Sequence, residues 1–213
     1  PTHCFYKKTM KIFKWIKRLL IGLFILSLAV TFAYKWVPVP VTQLMLKRYF
    51  FNKSSIEKKW VPIDQIANSM QLAVVSSEDQ NFLSHKGFDF KEIQKILAKE
   101  GTPKRGASTI SQQTAKNVFL WDGRNFIRKG LEAYFTCLIE WIWGKERIME
   151  VYLNVIEFGD GIYGVEAASQ HYFNKSAASL SNSEAATLAA LLPNPREYGK
   201  KINGRYIQKR KVW

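Results

Sequence analysis

The most pronounced feature in the pattern of hydrophobic and polar positions is one long apolar run near the start of the chain. Residues 19–34 have the sequence LLIGLFILSLAVTFAY, and the next three residues extend it to the roughly 20 that a membrane-spanning helix needs. The residues before this run include several lysines and an arginine but no acidic residue, which by the positive-inside rule keeps that end in the cytoplasm. The pattern predicts a cytoplasmic basic segment at 1–18 and a transmembrane helix at 19–37. The rest would lie on the outer, periplasmic face of the cytoplasmic (inner) membrane.

Two other interpretations of the apolar run fit the sequence less well than an anchor. Residues 31–33 (TFA) offer the small-x-small pattern of a signal-peptide cleavage site, but the run is long for a signal core. A buried core helix would leave the flanking lysines unexplained. The sequence therefore favours a single-pass membrane anchor.

Beyond the anchor, the spacing of apolar residues is helical almost throughout. Residues 44–51 mix apolar and basic side chains, and this stretch lies either on the bilayer surface or packed on the domain as an ordinary helix. Further helices are predicted at 63–77, 90–99, from 110 onward, 125–143, 145–153, 164–172, 184–192 and 206–211. Asp89 with Glu92, and Ser181 with Glu184, have the spacing of a capping box at a helix start. No strand-length alternation rivals these signals, so the predicted fold class is mainly α.

Composition and charge narrow the class of protein. The chain has 213 residues, 47% of them hydrophobic, which suits one buried domain plus the anchor. A formal net charge of +15 suits phosphate-bearing or membrane partners, and charge alone does not separate nucleic acid from anionic lipid. No nucleic-acid-binding motif is present. The two cysteines make no disulfide framework or metal cluster, and Cys137, inside an apolar stretch, is predicted to be a small core residue.

The first candidate for chemistry is a carboxylate at the end of an apolar helix. Residues 78–89 have the sequence EDQNFLSHKGFD, and Glu78 falls where the helix predicted at 63–77 ends. A carboxylate where a helix turns into a cleft is partly desolvated, which suits a proton acceptor. The alternative for Glu78 and Asp79 is a solvated helix end. His85 is more simply a structural hydrogen-bond partner than a ligand.

The second candidate is an anion site at the start of a helix. Residues 106–117 have the sequence GASTISQQTAKN, in which Thr109 and Gln112 have capping-box spacing. The free amide groups of a helix that starts near Ile110 would bind an anion. Gln112, Gln113 and Lys116 are three and four residues apart and share one face. The pattern suits a phosphate-bearing leaving group, although it lacks the Gly-Lys-Ser/Thr element of a nucleotide-binding loop.

The third candidate is a basic segment with one acidic residue, RNFIRKGLE at residues 124–132. Arg128 and Glu132 are four residues apart on the predicted helix. A plain surface ion pair, worth only a few tenths of a kcal/mol, is the alternative interpretation.

Together these blocks resemble the peptidoglycan glycosyltransferase family 51. KERIMEVYLN at 145–154 and EAATLA at 184–189 follow in the family's order and spacing, so the resemblance covers about residues 62–195. The likeness is greatest to monofunctional members, which carry an N-terminal anchor and no penicillin-binding domain. The resemblance implies a lysozyme-like glycosyltransferase domain at 62–213 with a membrane-associated small lobe. Residues 38–61 would be a juxtamembrane, membrane-associated segment.

The resemblance also implies an activity and a role for individual residues. The family polymerises lipid II into glycan strands and releases undecaprenyl pyrophosphate. Glu78 matches the general base, and Glu132 matches a second essential carboxylate that orients either basic residues or a divalent cation (Mg or Mn). No other cofactor is implied. The positions that match substrate contacts are Ser108, Gln113, Lys116, Arg124 and Arg128. Tyr152, Asn154 and Glu184 match structural positions.

The implied partners are lipid II, the growing glycan strand and membrane lipid, and other cell-wall synthesis proteins are further candidates; nucleic acid is not. The basic loop at 101–106 is expected to be mobile without ligand and to close over the phosphates. A membrane-anchored lysozyme-like glycan hydrolase and a non-enzymatic scaffold are the alternatives. The basic residues disfavour the hydrolase, because cleavage of a neutral glycosidic bond does not require them.

Overall fold

The computed structural model describes residues 2–98, 108–123 and 125–212, and the side chains of all of these except 2–9, 96 and 97. It divides into two compact units, Pro1–Val37 and Pro38–Trp213. The first unit contains one helix, α1 (Thr2–Ala33), and its segment Met10–Ala33 is long and apolar enough to cross a membrane. The helix thus begins inside the basic segment and ends before Pro38.

The second unit is mainly helical, as the sequence predicts. Its α-helices are α2 (Gln43–Asn52), α3 (Asn68–Glu78), α4 (Phe90–Ala98), α5 (Ile110–Phe119), α6 (Phe126–Ile142), α7 (Gly144–Val155), α8 (Val165–Phe173), α9 (Asn182–Leu191), α10 (Pro195–Gly199) and α11 (Arg205–Lys211). Two short 3₁₀ helices lie at Ile63–Gln65 and Ala177–Ser179. The capping box of Ser181 with Glu184 is present at the start of α9.

The single helix predicted at 63–77 is wrong, because the chain breaks it into the 3₁₀ helix Ile63–Gln65 and α3. Ile66 between them has an extended backbone, with φ −112° and ψ 125°. The backbone N–H of Ala67 donates to the carbonyl oxygen of Ala177 at 3.1 Å instead of to its own helix. A contact with a residue far along the chain therefore ends the first turn.

A small three-stranded sheet was not predicted. Its strands are β1 (Glu57–Lys58), β2 (Glu157–Gly159) and β3 (Ile162–Tyr163), in the order β1-β3-β2. The β1 strand is parallel to β3, and β2 is antiparallel to it. Strands of two or three residues are too short to show an alternating pattern, so no pattern in the sequence could predict them.

The core of the second unit is built around α7. Ile148, Val151, Tyr152 and Leu153 on this helix are fully buried, and α7 packs against α5 and α6. The side chain of Asn154 accepts from the backbone N–H of Val61 at 2.9 Å and donates to the Val61 carbonyl at 2.8 Å. Asn154 therefore fastens the segment before α3 onto the core, in agreement with the structural role expected for it.

The α6 helix is inverted relative to an ordinary amphipathic helix. It buries Arg128 and Glu132, whereas Phe126 is 98% exposed and Trp141 is 81% exposed. Cys137 lies on the exposed side, so the prediction that it is a core residue is wrong. An apolar stretch predicts a buried helix only if the polar side faces solvent, and here the polar side faces inward.

Candidate active site

The carboxylate of Glu78 lies half-buried at the last position of α3 and is held by a side chain of α5. The Nε2 group of Gln113 donates to Glu78 Oε2 at 3.0 Å. The hydroxyl of Tyr152 in turn donates to Gln113 Oε1 at 3.2 Å. This second bond fixes which end of the Gln113 amide faces Glu78, so the carboxylate always receives a donor.

Tyr152 is well suited to this role because it is fully buried in α7. Burial, and then the negative charges of Glu78 and Asp79, raise the pKa of its phenol well above the usual value. The hydroxyl therefore stays protonated and donates. The sequence assigned Tyr152 only a structural role. In the structure its hydroxyl donates directly to Gln113, which in turn donates to Glu78.

Asp79, next to Glu78, links α3 to the start of α5. Its buried carboxylate accepts from the backbone N–H of Ile110 at 3.0 Å and pairs with His85 Nε2 at 2.9 Å. Because His85 Nδ1 accepts from the backbone N–H of Gly87, the ring hydrogen lies on Nε2 and is donated to Asp79. The structural role expected for His85 is confirmed.

The anion site predicted at the start of α5 is wrong, although the capping box that suggested it is present. The N–H of Ile110 donates to Asp79, and the N–H of Gln112 donates to Thr109 Oγ1 at 3.2 Å. The side chain of Gln112 is used in the same cap, because its Oε1 accepts from the backbone N–H of Thr109 at 3.0 Å. These amide groups are occupied from within the protein.

The positive charges gather instead around a cavity at the other end of α5. This cavity has a volume of about 300 Å³. Its lining residues are Leu44, Arg48, Lys116, Asn117, Leu120, Trp121, Asp122, Gly123 and Arg128. Burial lowers the pKa of Lys116, and the nearby carboxylate of Glu132 opposes that shift. The cavity lining thus contains three cationic side chains and a single carboxylate, that of Asp122.

Arg128 and Glu132 form a buried ion pair, so the alternative of a plain surface pair is wrong. Arg128 Nη1 lies 2.8 Å from Glu132 Oε2, and Glu132 is only 3% exposed. Lys129 binds the other carboxylate oxygen. Both oxygens of Glu132 are therefore engaged by basic side chains. In the described ranges no group of three or more histidine, cysteine or acidic side chains could hold a metal ion.

The remaining predicted site positions are less well defined. Ser108 is exposed and directly precedes the cap residue Thr109. Arg124 and the loop at 101–106 lie outside the described residues. The structure therefore brings together Glu78 with Gln113, and Lys116 with Arg128 and, through Arg128, Glu132.

One helix relates the two halves of the site. Gln113, which holds Glu78, and Lys116, which lines the cavity, are three residues apart on α5, so they share a face and are separated by roughly 4.5 Å along the axis. The residue that holds the Glu78 carboxylate and one cation of the cavity therefore lie within one turn of the same helix.

Arg48 is a cavity residue that the sequence did not suggest. It lies in α2, within the stretch predicted either to lie on the bilayer or to pack as an ordinary helix. No motif marks it, because its place beside Lys116 depends on how α2 packs against α5.

Comparisons with known proteins give one consistent family. A model of the transglycosylase family matches residues 45–213. A protein of Bdellovibrio bacteriovorus named biosynthetic peptidoglycan transglycosylase is 54% identical over 192 residues, covering 87% of this chain and 77% of the relative. Proteins of the same name from Shewanella oneidensis and Haemophilus influenzae are 46% and 45% identical. The alignments cover 95% and 97% of this chain and 89% and 93% of the relatives.

Proposed function

Since this chain belongs to the transglycosylase family of biosynthetic peptidoglycan enzymes, we propose that it polymerises lipid II into glycan strands, with release of undecaprenyl pyrophosphate. Membership of the family makes the chain a peptidoglycan glycosyltransferase of bacterial cell-wall synthesis. The resemblance drawn from its motifs is confirmed. The identity of the substrate and the roles of individual residues are the proposal.

The observation that carries the proposal is the arrangement along α5. Glu78, a proton acceptor, is held by Gln113, and one turn further Lys116 lines a cavity that also contains Arg128. Transfer of a sugar from a pyrophosphate needs a base on the attacking hydroxyl and positive charge on the leaving group. Gln113, which holds the base, and Lys116, which supplies positive charge, both lie on α5.

In the proposed reaction, the C4 hydroxyl of the acceptor lipid II gives its proton to the Glu78 carboxylate. The oxygen then attacks C1 of the sugar at the reducing end of the growing strand and forms the new glycosidic bond with inversion. The bond from C1 to the pyrophosphate oxygen breaks, and its electron pair leaves with undecaprenyl pyrophosphate. Lys116 and Arg128 stabilise the negative charge that grows on this leaving group.

The other site residues have supporting roles in the proposal. Glu132 orients Arg128 and Lys129, because both of its oxygens are bound to them. Ser108 and Gln113 supply polar contacts, and Arg124 adds positive charge. Gln113 has the second task of holding Glu78.

The test is to incubate the purified full chain with lipid II and to size the products on a gel. Strand growth with release of undecaprenyl pyrophosphate is expected. Shortening of added glycan strands without growth would favour the lysozyme-like hydrolase instead. No change in either substrate, with the protein folded and lipid present, would favour a scaffold.

We further propose that the second unit rests on the outer leaflet with α6 against the lipid. The exposed apolar side chains of α6 include Phe126, Ile127 and Trp141, and α2 exposes Phe50 and Phe51. Exposed apolar side chains of this kind mark a membrane or protein contact, and the predicted anchor favours the membrane. The lipid II tail stays in the bilayer, so a site that opens at the membrane surface would reach its pyrophosphate. The anchor Met10–Ala33 would hold the N-terminus in the cytoplasm.

The exposed Cys137 on α6 offers a direct measurement of this membrane contact. After Cys4→Ser, Cys137 is the only cysteine in the sequence and can carry an environment-sensitive fluorophore. We expect its emission to shift to the blue on transfer from detergent to vesicles, and to be quenched by spin-labelled lipid. The same fluorophore at Lys175→Cys in a cysteine-free background is the control and should show neither effect. Equal behaviour at both positions would contradict the proposed orientation.

The Tyr152 hydroxyl should contribute to catalysis without contributing much to substrate binding. Tyr152→Phe keeps the buried ring and removes the bond to Gln113, so the Gln113 amide is free to turn away from Glu78. One hydrogen bond is worth about 1 kcal/mol, and kcat should fall roughly five-fold with little change in KM. The control is Tyr172→Phe, which removes a bond to the Phe158 carbonyl outside the site. An equal fall in both variants would assign Tyr152 to the framework alone.

A further inference from the structure

The α2 helix contributes one cationic side chain to the cavity, although its sequence suggests only a lipid-facing or packing helix. Its exposed residues include Tyr49, Phe50 and Phe51. Arg48 on the same helix is only 22% exposed and lines the cavity together with Lys116 and Arg128. Arg48 is therefore turned away from the exposed apolar residues and into the region of the site.

One donor of the Arg48 guanidinium, Nε, lacks a hydrogen-bond partner in the described part of the chain. The shortest ion-pair contact of its guanidinium with the described residues is to Glu157, where Nη2 lies 3.9 Å from Oε2. Its Nε group is buried and has no hydrogen-bond partner among the described residues, and the same holds for Nε of Arg128. A buried donor without a partner is costly. Two such arginines on one cavity indicate that an anion completes their bonding.

A purely structural role for Arg48, as the counter-ion of Glu157, fits the geometry less well. Glu157 is 8% exposed, and burial raises the pKa of its carboxyl, with Arg48 opposing the shift. A contact of 3.9 Å is too long for a hydrogen bond, and Glu157 Oε1 has no hydrogen-bond partner within the described part of the chain. The pair is loose enough to leave the guanidinium available to a ligand.

We propose that Arg48 binds the pyrophosphate of the lipid-linked substrate in this cavity, beside Lys116 and Arg128. This inference rests on the function proposed above. Arginine suits the task, because its planar guanidinium can bind two phosphate oxygens at once. The consequence is that α2 carries a phosphate contact immediately beside apolar residues exposed for lipid, at the depth where the substrate's pyrophosphate meets its hydrocarbon tail.

A phosphate group could also come from the headgroup of a bilayer lipid. The substrate's pyrophosphate is the better match, because Arg48 is mostly buried and shares its cavity with two other cations. A headgroup contact would need an exposed guanidinium. The experiment separates the two sources of phosphate.

The test compares Arg48→Ala and Arg48→Lys with the wild-type full chain, using Lys175→Ala as a charge-matched control. Lys175 lies in an exposed ion pair with Glu184, outside the cavity. Two quantities are measured: the kinetics on lipid II, and the inhibition constant of inorganic pyrophosphate. We expect Arg48→Ala to lower kcat/KM on the order of 10- to 100-fold and to weaken pyrophosphate inhibition about ten-fold. Arg48→Lys should fall between it and the wild type, and Lys175→Ala should match the wild type.

Three outcomes would overturn the inference. The first is unchanged pyrophosphate inhibition with weaker binding to phosphatidylglycerol vesicles, which would assign Arg48 to a lipid headgroup. The second is a lower melting temperature with unchanged KM and unchanged inhibition, which would make Arg48 a structural partner of Glu157. The third is an Arg48→Lys variant equal to wild type in every measurement. This variant provides the test of phosphate binding if Arg48→Ala does not fold. If the wild type does not elongate lipid II yet binds pyrophosphate through Arg48, the proposed function fails and this contact stands.

Discussion

Replacing Glu78 by glutamine is expected to lower kcat for strand growth by roughly 10²- to 10⁴-fold, the range that a positioned general base contributes. The substitution keeps the shape of the side chain and its place at the end of α3, and it removes the ability to accept a proton. The bond from Gln113 is to a single oxygen of Glu78, which a glutamine side chain can still supply. Binding of lipid II and the melting temperature should therefore change little.

A matched control for this substitution is Glu146→Gln, at an exposed position in the first turn of α7. It makes the same chemical change outside the site and should leave kcat as in the wild type. Kinetics with labelled lipid II and a thermal melt of each variant provide the comparison. Turnover by Glu78→Gln within a few-fold of the wild type would remove Glu78 from the role of base.

Replacing Lys116 by methionine is expected to cost roughly 2 to 4 kcal/mol of transition-state stabilisation, the usual effect of removing one preorganised charge contact. Methionine fills nearly the same space in the cavity and carries no charge. The loss should appear mainly in kcat/KM for lipid II. The fold should tolerate the change, since no described residue forms an ion pair with Lys116 within 4.0 Å.

The charge of Lys116 also determines how the reaction rate is expected to depend on pH. Although part of the residue is exposed, desolvation of its ammonium group at the cavity lowers the pKa below the usual value for lysine, so the cation is lost at a lower pH. The kcat/KM of the wild type should fall as the pH rises through that lowered value. Lys116→Arg keeps its charge to much higher pH and should move this fall upward. Identical alkaline profiles for the two proteins would contradict a charged role for Lys116.

The features that sequence could predict are those decided within one helical turn. The capping boxes of Thr109 with Gln112 and of Ser181 with Glu184 are present, because each needs only the right residue types three positions apart. Glu78 falls at the end of its helix as expected. Helix position and spacing marked Glu78, Gln113 and Lys116 as candidates, and the family resemblance supplied their roles.

The features that sequence missed depend on partners far along the chain. The start of α5 looked like a free anion site, and Asp79, 31 residues earlier, occupies it. Tyr152 looked structural because nothing local shows that its hydroxyl reaches Gln113. The inverted α6 was missed, because the apolar pattern of a helix does not show which of its faces is buried.

The three-residue interval between Gln113 and Lys116 makes α5 intolerant of any change in length. Inserting one residue between them would rotate everything beyond it by about 100° about the helix axis. Lys116 would then leave the cavity while Gln113 still held Glu78. Deleting one residue would rotate that part of the helix by about 100° in the opposite direction, which would also move Lys116 out of the cavity. Among natural variants of this chain, gaps in sequence alignment should therefore be absent from residues 113–116, even where substitutions elsewhere in α5 are common.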